Sequence, residues 1–229
     1  MTYSRLTPSP RYAELLNMYK SVHTEGIAAQ NLTAEDTFSG TSLGPHVKTI
    51  QRLIKDTGAR TVLDYGAGKG VKYAATNLSI GGTRISSIKD YWGVDGITCY
   101  DPAYVPFATM PEGQFDVVVC TDVLEHIPEA DLPWILEEQF RYARKAVFGN
   151  IAAYPAEKTL PNGENAHCTI QGADWWHETI RKARAAAGSS ADYLYLVETK
   201  VMRSKWFGLK KKAVRQFEHL TSRPGWESF

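Results

Sequence analysis

Apolar residues recur along the chain at helical spacing in two early stretches. In the first, Ser9 and Pro10 precede the apolar positions and provide a helix start. The apolar positions of this stretch are Tyr12, Leu15, Leu16, Tyr19 and Val22. We therefore predict an amphipathic helix that ends near Gly26. A second helix is predicted to end at Gly58, on the apolar positions Val47, Ile50, Leu53 and Ile54.

Four later segments are short and almost continuously apolar, which is typical of buried strands. They read "TVLDY", "ITCY", "FDVVVC" and "KAVFGNIA". Helical patterns lie between them, at 71–78 and at 133–144, and a further helix at 173–188 and a strand at 192–201 follow. Such strands alternating with helices predict an α/β fold with a doubly wound, mostly parallel sheet.

Length and composition change this picture little. The 229 residues, 43% hydrophobic and 22% charged, suit one globular domain with added segments. We expect an N-terminal helical extension at 1–43 and the main domain at 44–229. The formal net charge of +1 gives no general attraction to nucleic acid or to an anionic membrane.

The cysteines and the N-terminus bear on location. Three widely spaced cysteines, Cys99, Cys120 and Cys168, indicate reduced thiols and not a disulfide framework. The N-terminus has no apolar segment of a signal peptide, and no stretch approaches the roughly 18 apolar residues that span a bilayer. We expect a soluble cytoplasmic protein without a membrane partner, and the oligomeric state stays open.

The stretch "LDYGAGKG" places Asp64 just before three alternating glycines, Gly66, Gly68 and Gly70. At the end of the first strand of a parallel sheet, such a turn lets a ligand approach the backbone. The acid distinguishes it from the G-x-G-x-x-G turn of dinucleotide-binding proteins, because a carboxylate repels a pyrophosphate and suits an ammonium.

From about Gly44 to Val201, the chain resembles the class I S-adenosylmethionine-dependent methyltransferases, on "LDYGAGKG" followed by "FDVVVCTDVLEHIP". The resemblance implies a Rossmann-like sheet of seven strands and S-adenosylmethionine as cofactor. It also implies that Asp64 lies near the methionine amino group and that the three glycines line the methionyl and ribose side. Cys120 and Thr121, at the end of the later strand, are further expected cofactor contacts.

In this family an acid that ends the second strand holds both ribose hydroxyls. Here the segment "SIGGTRISSIKDYWGVDG" intervenes, and the acid comes later than usual. We predict Asp101, which follows "ITCY", for this role. Asp95 is the alternative, although the pair Asp95-Gly96 is more typical of a turn. The third strand is poorly marked, so the adenine contacts are not predicted.

After the fourth strand, "CTDVLEHIP" brings three potential metal ligands. On a helical turn, Asp122, Glu125 and His126 would share one face, and His167 in the long connection 152–173 is a potential fourth ligand. The layout resembles the metal-assisted O-methyltransferases, in which such a set holds a divalent ion against the acceptor hydroxyl. The alternative is a metal-free site, with Glu125 and His126 as a base or a structural pair and His167 in solvent.

The methyl acceptor is predicted mostly by exclusion. The fourth strand lacks an [N/D/S]-P-P-[Y/F] ending, and no Pro-Cys pair is present, so the chain does not resemble DNA methyltransferases. We favour O-methylation of a small-molecule hydroxyl, with Glu125, His126 and His167 as catalytic candidates. An RNA-ribose or other nucleic-acid methyltransferase is the second hypothesis, because 200–215 is basic and contains Trp206 and Phe207. A cofactor-binding protein without activity is the third.

Overall fold

A central six-stranded sheet organises the chain in the computed structural model, which describes residues 2–38, 40–205 and 210–229. The strands of this sheet are β1 (Thr61–Tyr65), β4 (Gly96–Tyr100), β5 (Phe115–Thr121), β6 (Ala143–Ala152), β7 (Asp192–Lys205) and β8 (Lys210–Thr221). Within the described residues their order in the sheet is β4-β1-β5-β6-β7-β8, and every neighbouring pair is parallel except β7 and β8. The predicted fold class is confirmed.

The described sheet has one strand fewer than the seven expected. Along the chain, the missing strand would fall in the connection from β4 to β5, which contains Pro102, Pro106 and Pro111. Proline has no backbone N–H to give to a ladder, and this connection forms only the 3-10 turn Val105–Phe107.

Helices cover both faces of the sheet. The six α-helices of the described residues are α1 (Pro10–Glu25), α2 (Val47–Thr57), α3 (Val71–Ala74), α4 (Ile88–Trp92), α5 (Leu132–Tyr142) and α6 (Ala173–Ala186). Apolar residues of α5 and α6 pack on one face, and those of α2 and α4 pack on the other. The two apolar layers hold the strand ends in place, because close-packed side chains resist displacement.

Helix α1 begins where the sequence predicted and is tied to the domain at its first turn. The Ser9 side chain accepts from Tyr12 N at 3.0 Å and donates to the buried carboxylate of Asp131. Further along the helix, Leu15 packs against Leu160 and Ala166 of the loop after β6. The N-terminal helix is therefore part of one wall above the sheet.

The helix predicted at 71–78 is wrong beyond its first turn. Helix α3 ends at Ala74, and the chain then forms a hairpin of β2 (Leu78–Ile80) and β3 (Thr83–Ile85). The reason lies in the turn, where Gly81 and Gly82 have φ of +54° and +83°, the left-handed values that two-residue hairpins need.

The strand predicted at 192–201 extends to Lys205, and the basic residues from Lys210 onward begin a further strand, β8. Trp206 and Phe207 lie outside the described residues. Across the described part of the chain, every helix is too short or too polar to traverse a lipid bilayer.

Candidate active site

A cavity of about 630 Å³ lies over the carboxyl ends of the parallel strands. In open α/β sheets this edge is where ligands bind, because the loops diverge there and leave a crevice. Its walls come from α1, the segment 36–46, the glycine turn, the ends of β4 to β6, and the loop after β6. The predicted site residues that line it are Asp64, Gly66, Gly68, Gly70, Asp101, Thr121, Asp122, His126 and His167.

The glycine turn forms the floor of one half of the cavity. Gly66, Gly68 and Gly70 all have positive φ, of 90°, 55° and 60°. A Cβ on Gly66 would meet Val123 at 2.4 Å, and one on Gly68 would meet Phe38 at 3.0 Å. The glycines thus serve the packing of the chain's own segments as well as the left-handed turn.

Asp64 is buried beside this turn with an oxygen unused. Tyr73 Oη donates to Asp64 Oδ2 at 2.8 Å, whereas buried Oδ1 has no hydrogen-bond partner among the described residues. Burial raises the pKa of Asp64 to about 7, against the lowering effect of the Tyr73 hydrogen bond. An unsatisfied buried acceptor on the cavity wall is a place for a cationic or donor group of a ligand.

Asp101 lies directly after β4 and contacts the glycine turn. Its Oδ2 accepts from Gly68 N at 2.9 Å and its Oδ1 accepts from Ala103 N at 2.8 Å, so each oxygen keeps a lone pair. Burial raises the pKa of Asp101, and the backbone N–H groups oppose the shift. Asp95, the alternative, does not line the cavity; it pairs with Arg60 on the surface.

Of the two expected contacts at the end of β5, one faces the cavity. Thr121 lines it, whereas the Cys120 side chain is fully buried in the sheet core. Cys120 Sγ accepts from Gln139 Nε2 of α5 at 3.3 Å. The Cys120 side chain therefore does not reach the cavity and is not available as the predicted cofactor contact, since successive strand residues point to opposite faces of a sheet.

Asp122, His126 and His167 form a cluster in the other half of the cavity. One potential ligand atom from each lies within 4.8 Å of the others. Asp122 has φ of 61° and breaks the chain direction after β5, and His126 follows in the 3-10 turn Leu124–His126. His167 comes from the loop after β6. Carboxylate and imidazole are ligands for divalent transition metals.

Backbone carbonyls fix both imidazoles. His126 Nδ1 lies 2.8 Å from Ala166 O, and His167 Nδ1 lies 2.6 Å from Tyr154 O. Because a carbonyl oxygen only accepts, Nδ1 carries the proton in both rings and Nε2 keeps its lone pair. Burial lowers the pKa of His126 to about 4, with Asp122 opposing, so this ring is neutral at pH 7. Histidines that bind metals are oriented in this way.

Glu125 was expected among these ligands, but its buried side chain, which is adjacent to Asp122, is not one of the three clustered ligand groups. Its side chain is 0% exposed, and its Oε1 accepts from Ala152 N at 2.7 Å. Burial, followed by the charge of Asp122, raises the pKa of Glu125 well above its usual range. The prediction failed because the expected α-helical turn is a single 3-10 turn that starts after Asp122, so the spacing does not align the three side chains.

Sequence reasoning missed two residues in the half of the cavity that contains His126 and His167. Tyr19 Oη contacts His126 Nδ1 at 2.8 Å and donates to Ala166 O at 3.2 Å. Asn150, at the end of β6, lines the cavity with its buried Oδ1 unpaired among the described residues. A polar residue within the apolar run "KAVFGNIA" was the available signal for Asn150, whereas Tyr19 looks like any other apolar-face residue of α1.

A parallel sheet with an acid and a glycine turn after its first strand, below such a cavity, defines a class I S-adenosylmethionine-dependent methyltransferase fold. A family model described as "Methyltransferase domain" matches residues 44–186, more than half of the chain. The chain belongs to this methyltransferase family. A search among curated proteins gives no match.

Proposed function

We propose that the protein transfers a methyl group from S-adenosylmethionine to a hydroxyl of a small molecule, assisted by a divalent metal ion. The observation that carries this proposal is the cluster of Asp122, His126 and His167 in the same cavity as the glycine turn. When bound, the cofactor supplies an electrophilic methyl group on its sulfonium.

The residues of the glycine half fit this cofactor. Asp64 has an unpaired buried oxygen that can accept from the methionine ammonium. Asp101 is held rigidly by the two N–H groups of Gly68 and Ala103 and can accept from both ribose hydroxyls with its remaining lone pairs. The carboxylates of Asp64 and Asp101 beside the glycine turn suit a cofactor without phosphate, because they would repel a phosphate group.

The residues of the other half fit a metal in part. Asp122 and the Nε2 atoms of His126 and His167 offer three ligands, which suit Mn, Fe, Co or Zn, and leave positions open for an acceptor. A bound divalent ion lowers the pKa of a hydroxyl that coordinates it. Glu125, the fourth expected ligand, is not part of this set.

The alternative of a metal-free general base is less well supported. A general base works best when its pKa lies near the operating pH. The lowered pKa of His126, about 4, makes its imidazole a weak base for an alcohol or phenol proton. The same lowering favours metal binding, because only the neutral ring can act as a ligand.

A small acceptor fits the dimensions of the site. The cavity volume of about 630 Å³ is within the range of small-molecule pockets, which runs roughly from 300 to 1,000 Å³. Helix α1 and the loop after β6 cover the His126 side, and Leu15 and Leu160 close the contact between them. These walls cover His126, which is half-buried, whereas Asp122 stays exposed at the cavity.

The metal is tested by titration and by substitution. We expect His126→Ala and His167→Ala to abolish Mn²⁺ binding in calorimetry, while affinity for S-adenosylhomocysteine stays within about twofold. His177→Ala is the matched control, because His177 contacts Tyr193 near the start of β7 and does not line the cavity. Glu125→Gln should keep the metal. Full methyl transfer in excess chelator, with no metal found by elemental analysis, would refute the metal.

Nucleic acid is the second candidate acceptor. The observation in its favour is the run of seven cations without an acid between Lys200 and Arg215, in the two paired strands β7 and β8. Methylation of an RNA oligonucleotide, with no transfer to small hydroxyl compounds, would replace the first proposal by this one.

A further inference from the structure

Two cations lie side by side at the end of the cavity that contains the His cluster. Lys200 of β7 and Arg215 of β8 are directly opposite each other in the antiparallel register, and both line the cavity. We propose that they bind an anionic group, a phosphate or a carboxylate, on the same small molecule whose hydroxyl is methylated. This assignment of substrate class rests on the function proposed above.

Tyr154 links these cations to the cluster. Its backbone oxygen accepts from His167 Nδ1 at 2.6 Å, and its Oη donates to Glu198 Oε1 at 2.8 Å. Arg215 Nε lies 3.1 Å from that same Glu198 oxygen, and Lys200 Nζ lies 4.2 Å from the centre of the Tyr154 ring. The cations are thus one tyrosine side chain away from the proposed transfer point, a span that a small hydroxy acid or phosphate ester bridges.

Arg215 is oriented with donors to spare. Glu198 is 3% exposed and lies 3.1 Å from Arg215 Nε, whereas the Arg215 side chain is 61% exposed and open to a ligand. Within the described part of the chain, the other two guanidinium nitrogens make no hydrogen bond or ion pair. A guanidinium that is fixed at one nitrogen presents the remaining N–H groups as a fork, the geometry that binds carboxylate and phosphate in bidentate fashion.

Lys200 has a partner that a ligand can replace. Its Nζ lies 3.2 Å from Glu157 Oε1, but the Glu157 side chain is 90% exposed. Ion pairs of this kind contribute only about 0–1 kcal/mol, because water solvates both groups well. An incoming anion that also reaches Arg215 competes successfully with a single solvated carboxylate.

The register itself argues for a ligand. Like charges directly opposite each other on neighbouring strands destabilise a sheet. Glu198 offsets the charge of Arg215, and the exposed Glu157 offsets that of Lys200 only weakly. An anion between the two cations would remove this repulsion. The carboxylates of Glu198 and Glu157 lie at the same place and would repel a polyanion that must pass both, so a compact anion fits better.

The experiment measures anion binding without any turnover. Inorganic phosphate and benzoate are titrated separately into metal-free protein, with and without excess S-adenosylhomocysteine, at fixed ionic strength, and amide shifts are followed by NMR. We expect saturable shifts at Lys200 and Arg215 with at least one anion. Lys200→Met and Arg215→Met should raise the Kd about tenfold or more, the loss expected for a charge-assisted contact.

Two further variants keep the result interpretable. Arg215→Lys retains a charge beside Glu198 and loses the fork, so it should weaken binding while folding normally. Lys182→Met is the matched control, because Lys182 pairs with Glu178 on α6, away from the cavity. We expect it to leave the Kd within about twofold.

The outcomes separate this proposal from the function on which it rests. If neither anion gives saturable shifts, or if Lys182→Met weakens anion binding as much as Lys200→Met and Arg215→Met do, the anion site is overturned even where cofactor and Mn²⁺ bind. Saturable anion binding in a protein that fails to bind cofactor overturns the proposed function alone. Tight binding of a single-stranded RNA, without saturation by phosphate or benzoate, assigns the two cations to a nucleic acid and also overturns the proposal.

Discussion

At the scale of single residues, we expect the protonation of Asp64 to control ligand binding in the half of the cavity proposed to hold the cofactor. Its pKa of about 7 means that the carboxyl is largely protonated at pH 6. A cofactor ammonium selects the carboxylate, so binding competes with the proton. We expect affinity for S-adenosylhomocysteine to fall about tenfold per pH unit below 7 and to level off above it, as measured by calorimetry.

Variants at the same contact check this assignment. Asp64→Asn should bind weakly at all pH values, because no carboxylate forms. Tyr73→Phe removes the hydrogen bond that lowers the pKa of Asp64, so the pH midpoint of affinity should move upward. A pH-independent affinity in the unmodified protein would contradict the role of Asp64.

Asp101 and Asp95 make a second residue-level comparison. In Asp101→Asn, an amide NH₂ group would oppose the N–H of Gly68 or Ala103, and the ribose hydroxyls would lose a charged acceptor. We expect cofactor binding to weaken by about 1.5 to 3 kcal/mol. Asp95→Asn loses only a surface ion pair with Arg60 and should change the affinity little. The reverse ranking would refute the choice of Asp101.

Residues close together in sequence were predictable, whereas of those brought together by folding only some, such as His167 beside Asp122 and His126, were. Asp64 and the glycines form one local pattern, and their place at the end of β1 followed from it. The directions of Cys120 and Glu125 depend on strand facing and on the type of turn, which residue spacing alone does not fix. Lys200 and Arg215 reach the cavity through the β7–β8 register, which no local pattern encodes.

At the scale of elements, the start of α1 controls the cover over the cavity. Ser9 caps the helix and also donates to the buried Asp131. Ser9→Ala loses the cap and leaves Asp131 with one donor fewer, so we expect a cost of about 2 kcal/mol in the free energy of unfolding. Chemical denaturation measures this, with hydrogen exchange to localise the loss to α1.

A second serine in α1 provides the control for that substitution. Ser21 is partly exposed, and its side chain hydrogen-bonds to Glu25 of the same helix. Ser21→Ala should change the free energy of unfolding by less than about 0.5 kcal/mol. Equal effects of the two substitutions would show that the contact between Ser9 and Asp131 does not hold the helix.

The β2–β3 hairpin shows where element prediction stops. Strong apolar strands such as β5 were predictable because burial on both faces leaves a continuous apolar run. The hairpin strands have three residues each and little burial, so their sequence carries no such run. Only the pair Gly81-Gly82 indicated a turn, and pairing across it depends on the contact between the two strands.

At the scale of the whole molecule, buried histidines couple stability to pH. Burial lowers the pKa of His46 to about 4, below the ordinary value near 6.5. The unfolded chain therefore takes up a proton between these pH values and the folded chain does not, so stability present above pH 6.5 is lost as pH falls toward 4.

A substitution isolates this contribution. Between pH 7 and pH 5 the free energy of unfolding should fall in both proteins, and it should fall by roughly 1 to 2 kcal/mol less in His46→Asn than in the unmodified protein. Denaturant unfolding at both pH values measures this difference. The comparison between the two proteins is needed because the raised pKa values of Asp64 and Glu125 stabilise the fold as pH falls, and so offset part of the total pH dependence of stability. An unchanged pH dependence in the variant would contradict the neutral, buried state of His46.

The brevity of α3 has a consequence for the choice of cofactor. Only one helical turn, Val71–Ala74, follows the glycine turn. A helix gathers its positive N-terminal potential from many aligned peptide dipoles, so a single turn provides little electrostatic attraction for a pyrophosphate. With Asp64 at the same turn, we expect the molecule to discriminate against NAD and FAD twice, by repulsion from the carboxylate and by the lack of a compensating dipole.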